Sequence, residues 1–131
     1  MHQLNQAAVT TAAGVADDFR GKPGERQVTV LTMEGWQAAG KVINQTLPWQ
    51  TRRANLYIQG INLLDSAGMH LRIGQLILLI TRETDPCQRM QEAHEGLFKA
   101  LTTEWRGGVC CRVIQEGVIA IDDAVELINA P

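Results

Sequence analysis

The apolar residues of this chain fall into short β-rich runs, each cut off by glycine or a polar turn, and that punctuation constrains the fold more than any other feature. Residues 27–32 (QVTVLT), 55–58, 70–73, 75–81 (QLILLIT), 109–114 and 124–128 are predicted strands, with Gly60, Gly68, Gly74 and Gly117 among the separators. Many short strands with glycine corners favour a barrel or a strongly bent sheet. Two segments read as helices. Residues 33–39 predict a short one ending at Gly40, and 88–103 a longer one, because Met90, Ala93, His94, Leu97 and Leu101 recur at helical spacing. Gly96 weakens the middle of that second helix by ~1 kcal/mol relative to alanine. The expected fold class is therefore mainly β (α+β), a β-barrel with a few short helices and one longer helix covering an open end or seam.

With 131 residues and no linker-like stretch, the chain is expected to form one domain over 1–131. A domain of this size buries roughly two-thirds of its unfolded surface, so a core forms without metal or disulfide staples. The net charge is −2 and no basic cluster exceeds Arg52-Arg53, which argues against a nucleic-acid partner. The longest apolar stretch, 76–80, is too short to cross a bilayer, so no membrane role is expected. Three cysteines do not suggest a disulfide framework, and the start of the sequence carries no basic, apolar leader, so a cytoplasmic location is expected. Cys110 and Cys111 are neighbours with Cα atoms ~3.8 Å apart, below the usual disulfide separation. On a strand they point to opposite faces, which predicts one apolar filler and one surface thiol.

The third cysteine sits differently. Cys87 follows Asp85 and Pro86, where the apolar run ends and the second helical pattern begins. Asp85 is a good cap, Pro86 suits the first helical position, and Gln88 stands three residues after the cap, as in a capping box. A thiol in that first turn meets unpaired N–H groups and the positive end of the helix dipole, which favour the thiolate. The Asp85 carboxylate acts in the opposite direction. Packing alone is the competing role for such a cysteine.

Two further groupings carry chemistry. Arg52 and Arg53 precede Asn55 at a strand start, and paired guanidiniums suit phosphate or carboxylate; a solvated strand end is the plainer reading. Trp105-Arg106-Gly107-Gly108 joins the helix to the next strand, and its glycines permit close backbone approach to a ligand or simply a turn. The histidines are scattered and there is no CxxC or HExxH, which disfavours a zinc site from sequence-local ligands, although one cysteine can still ligate a cofactor-borne metal. Dinucleotide, nucleoside triphosphate and serine-hydrolase motifs are absent.

Taken in order, Thr51-Arg52-Arg53-Ala54-Asn55, Tyr57-Ile58-Gln59-Gly60, Leu71-Arg72-Ile73-Gly74, Asp85-Pro86-Cys87, Arg106-Gly107-Gly108 and Gly117-Val118-Ile119 resemble the molybdenum-cofactor sulfurase C-terminal (MOSC) domain, here as a small stand-alone member of bacterial type. The likeness extends upstream to Gly14-Val15-Ala16-Asp17-Asp18 and 26–29, nearly the whole chain. It implies a β-barrel whose Pro-Cys cysteine is the functional residue, so Cys87 inherits the role of persulfide carrier or molybdenum ligand. Arg52, Arg53, Asn55 and Arg106 match pocket positions that would contact an anionic cofactor or sulfur donor. The implied cofactor is the molybdenum cofactor (molybdopterin). No pyridoxal-phosphate module accompanies it in this sequence, so the implied partners are a separate cysteine desulfurase or a molybdoenzyme, and any catalysis would be sulfur transfer or molybdenum-dependent redox chemistry. The family often has histidine where Trp105 stands, and Gly-Asp where this chain has Asp17-Asp18 and Asp122-Asp123. A non-catalytic barrel that binds a small anion or a protein partner is the alternative.

Overall fold

A computed structural model describes residues 6–12, 14–15, 27–49, 54–84 and 88–129. Nine strands and three short α-helices are present among them: β1 (Gln6–Thr10), β2 (Gly14–Val15), β3 (Val28–Thr32), α1 (Met33–Ile43), β4 (Leu56–Ile58), β5 (His70–Ile73), β6 (Leu76–Glu83), α2 (Gln88–Ala93), α3 (Leu97–Thr102), β7 (Val109–Gln115), β8 (Gly117–Ala120) and β9 (Val125–Ile128). The chain is mainly β, as expected. Its barrel takes the form of a curled six-stranded sheet in the order β4-β3-β7-β6-β5-β9, with a three-stranded sheet, β2-β1-β8, beside it.

Alternation along the strands separates two apolar clusters. Val28, Val30, Leu56, Ile58, Leu71, Leu78, Ile80, Val109 and Cys111 share the inner cluster, and Val9 of β1 and Ile119 of β8 join it from the smaller sheet. Burying a Leu or Val side chain contributes about 1.5–3 kcal/mol, so this enclosed face is the main source of stability. Gln27 ties the smaller sheet to the larger one. It is buried, its Nε2 donates to Thr11 O at 2.7 Å, and its Oε1 accepts from Val113 N at 2.9 Å. The second cluster lies on the outer face, where Leu31 and Ala54 meet Trp36 and Ala39 of α1, Met90 of α2, and Leu97, Ala100 and Leu101 of α3.

Three local expectations are corrected. The first helix does not stop at Gly40 but runs to Ile43, where Asn44 takes the left-handed conformation (φ 57°) and donates to Lys41 O and Gly40 O. Gly40 serves close approach instead: a Cβ there would stand 2.7 Å from Gln45 O. The longer helix expected over 88–103 is broken in two, because Gly96 adopts φ 86°, a conformation that an α-helix cannot continue through. Neither Cys110 nor Cys111 is a surface thiol, for both are fully buried. Cys111 faces the inner cluster, and Cys110 points to the outer face, so a sheet covered on both sides buries successive residues. Burial, and secondarily its neighbour Cys110, pushes the Cys111 thiol far up from its ordinary pKa and keeps it protonated.

Candidate functional site

Antiparallel pairing of β6 with β7 brings the end of one strand against the start of the next. Glu83 pairs with Val109 and Arg82 with Cys110, while Cys110 also faces Thr29 of β3. The register slips between Ile80 and Arg82, so Thr81 is the extra residue of a bulge, and its Oγ1 donates to Cys110 O at 3.0 Å. Beyond β6, Thr84 is buried at 2 % exposure. Its N–H donates to Gly108 O at 3.0 Å, and its Oγ1 donates to Gly107 O at 2.6 Å with Gly108 O at 3.3 Å. One residue therefore clasps both glycines of the Arg-Gly-Gly turn.

The turn itself is held in an unusual shape. Glu104 (φ 52°) and Trp105 (φ 60°) are consecutive non-glycine residues in the left-handed region, each costing about 1–3 kcal/mol. Gly108 follows with φ 92°, and a Cβ on it would come within 2.1 Å of Val30 O, so β3 and this turn touch through backbone alone. On the helical side the turn meets the start of α1, since a Cβ on Gly35 would lie 3.1 Å from Arg106 O. Thr32 caps that helix, its Oγ1 accepting from Gly35 N at 2.9 Å. Such strain persists where the surroundings over-determine it, and here two strands and a helix end do so.

Asn55 is anchored at the other side of β3. Its Oδ1 accepts from Thr29 N at 2.9 Å and from Thr29 Oγ1 at 3.2 Å, and its own N–H is 3.1 Å from Thr29 O. Ala54 before it enters the outer cluster. Nearby, Trp49 stacks on Tyr57 with ring centroids 4.8 Å apart. Partial burial, and then Glu34, raises the Tyr57 pKa. Arg106 lies half-buried near the end of α3, 3.5 Å from Ala100 O and 3.5 Å from a Glu104 carboxylate oxygen. Both contacts are long, so neither grips the guanidinium tightly.

Of the residues singled out in the sequence, Asn55 and Arg106 are thus placed on or beside the outer face, whereas Cys87, Arg52 and Arg53, together with the cap at Asp85 and Pro86, lie outside the described residues. The loosely held Arg106 guanidinium has the polarity that an anionic group requires, whereas Asn55 is bonded to Thr29. Trp105, standing where the family often has histidine, packs against the inner cluster. Thr84 was not signalled by any pattern, and the stretch 26–29 gave no sign of the bond from Thr29 to Asn55, because these contacts depend on partners 23 and 26 residues away. Among the described residues no three His, Cys, Asp or Glu side chains gather as a metal site, and no helix is long and apolar enough to cross a membrane.

A curled sheet closed by a smaller one, with short helices over one face, is also the fold of several solved proteins. YuaD from Bacillus subtilis matches with a TM-score of 0.78 at 17% identity, over 96% of this chain and 86% of that one. YiiM from Geobacillus stearothermophilus matches at 0.72 and 19% identity, over 94% of this chain and 60% of that one, and YiiM from Escherichia coli at 0.73 and 16%, over 94% and 62%. At these identities the likeness is one of fold, and the chain spans somewhat under two-thirds of either YiiM protein. Among curated proteins, none matches significantly. The chain belongs to the MOSC domain family, whose model matches residues 12–126.

Proposed function

We propose that this MOSC domain handles an anionic sulfur- or molybdenum-bearing group on the outer face of its sheet, with Cys87 as the working thiol. The observation that carries the reading is a convergence of flanks. Ala54, one residue after Arg53, and Met90, three residues after Cys87, are buried in the same cluster, and Thr84, three residues before Cys87, is bonded to the Arg106-Gly107-Gly108 turn. These described flanks of the arginine pair and of the thiol, with the turn, are what support the reading.

As a sulfur carrier, the Cys87 thiolate attacks the terminal sulfur of a donor persulfide. The donor's S–S bond breaks, a new S–S bond forms on Cys87, and the donor leaves as its thiolate. A separate cysteine desulfurase is the natural donor, and a molybdoenzyme or its cofactor the acceptor. Arg52, Arg53, Asn55 and Arg106 would hold the anionic partner by N–H donation. The same set, with Cys87 as ligand, would hold molybdopterin, which when bound supplies a metal centre for redox chemistry. Persulfide formation is checked by intact mass after incubation with a cysteine desulfurase and cysteine, and metal ligation by molybdenum analysis of protein from a cofactor-competent host. Wild type is expected to gain one sulfur atom or to retain molybdenum, and Cys87→Ser to lose either property. If wild type does neither, the reading fails.

Trp105 favours a second reading, a binding barrel without catalysis, because an apolar ring packed on the core stands where a polar pocket group is usual. A Cys87 thiol that titrates at its ordinary value would support it.

A further inference from the structure

We infer that Glu104 is an internal competitor at an oxyanion site centred on Arg106, occupying the guanidinium until a phosphate-like group displaces it. This rests on the reading of Arg106 as a contact for an anionic partner and makes no use of the thiol. The Arg106 side chain is only 19 % exposed, so its charge is largely withdrawn from water. A charge in that position needs close partners. Among the described residues it has two, Ala100 O at 3.5 Å from Nη1 and a Glu104 carboxylate oxygen at 3.5 Å from Nη2. Both lie at the outer limit of a hydrogen bond, whereas a guanidinium carries five N–H donors in a fixed fork. The donors are therefore underused, and the paired oxygens of phosphate or a phosphate ester match the fork.

The two members of this ion pair are held differently. Arg106 is anchored through the backbone: its N–H donates to Thr103 O at 3.1 Å, Gly107 N donates to Leu101 O at 2.9 Å, and a Cβ on Gly35 of α1 would lie 3.1 Å from Arg106 O. The guanidinium therefore projects from a fixed point. Glu104 also has a defined backbone, in the left-handed region (φ 52°), but its side chain is 68 % exposed. Its carboxylate swings into water by side-chain rotation alone, with no movement of the turn. The left-handed residues Glu104 and Trp105 are strained, and the ion pair they bring about is too long and too exposed to offset that strain. Stability is therefore not what the pairing supplies. The carboxylate neutralises Arg106 while the site is free, and it faces an incoming oxyanion as a like charge that has to move aside.

Inorganic phosphate is titrated at constant ionic strength into wild type, Glu104→Gln, Arg106→Gln and the double variant, with binding followed by NMR on the backbone amides of residues 104–108 and on the Arg106 Nε–H. Glu104→Gln keeps the length of the side chain and removes its charge. It is expected to tighten phosphate binding about threefold, the order set by loss of one exposed charge partner. Arg106→Gln is expected to weaken binding about tenfold or more, and the double variant to bind no better than Arg106→Gln alone. If Glu104→Gln does not fold, Glu104→Asn, which tolerates the left-handed conformation, takes its place. Unchanged or weaker binding on removal of the Glu104 charge overturns the inference. So does tightening that survives without Arg106, which would reflect net charge alone, or failure of wild type and Glu104→Gln alike to bind phosphate. Sulfur uptake and molybdenum retention are measured on the same wild-type protein. Arg106-dependent tightening in a protein that takes up no sulfur and holds no molybdenum ends the functional reading and leaves the assignment of Glu104 standing; uptake without tightening does the reverse.

Discussion

The two faces of the six-stranded sheet are built on different terms. On the inner face Val28, Val30, Leu71, Leu78, Ile80 and Val109 meet the apolar side of the smaller sheet, and stability follows from area removed from water. The outer face is divided. Leu31 and Ala54 lie under the helices, whereas Thr29, Asn55, Thr81 and Thr84 are fixed by hydrogen bonds. Hydrogen bonds add little net stability but specify geometry, so the inner face supplies stability and the outer face supplies placement. The strained pair Glu104-Trp105 belongs to this contrast, since local strain can be stored only beside a core that tolerates the cost.

Substitutions on the two faces should therefore differ in kind. Leu78→Ala, at a fully buried inner position, is expected to destabilise by about 3 kcal/mol in urea unfolding, through lost transfer energy and a residual cavity. Thr32→Ala, which removes the cap of α1 from the helical layer, is expected to cost about 1 kcal/mol in the same assay. Equal costs would mean that the helical layer bears as much of the stability as the inner core. The smallest effect concerns Glu116, which joins the link between β7 and β8 to the end of β1 through Thr11. Its carboxylate accepts from Thr11 N at 2.6 Å and from Thr11 Oγ1 at 2.9 Å, and these bonds lower its pKa. A lowered folded-state pKa gives stability that is present above the unfolded value of about 4.3 and is lost as pH falls through the folded value. Glu116→Gln should flatten that acid limb by lowering stability slightly at neutral pH, where the contribution is present, and leave stability below the folded value unchanged. An unchanged acid limb would show that this fully exposed contact is not maintained in solution.

How far the fold could be seen in advance varied with the locality of its causes. Strands β3, β5, β6 and β7 carry dense β-branched and leucine runs, and their alternation is local, so they stood out. Strands β1 and β8 are short and weakly apolar, with Gln6, Ala8, Val118 and Ala120 exposed. They exist because residues 6–9 pair with 117–120 across the whole chain, a partnership that no window of sequence contains. In the sequence Gly40 reads as a helix end and Gly96 only as a weak point within a helix. The first is needed for close approach and the second for a left-handed turn, and φ alone distinguishes them.

A mainly β chain with glycine corners and its family membership are legible in the sequence alone, because alternation, punctuation and ordered motifs are properties of neighbouring residues. Only the tertiary structure decided that Cys110 and Cys111 are both buried, that the second helix is two, and that Thr84 holds the Arg-Gly-Gly turn. Each of these depends on what covers a face or accepts a hydrogen bond from another strand, and a side chain's surroundings are set by the packing of distant segments.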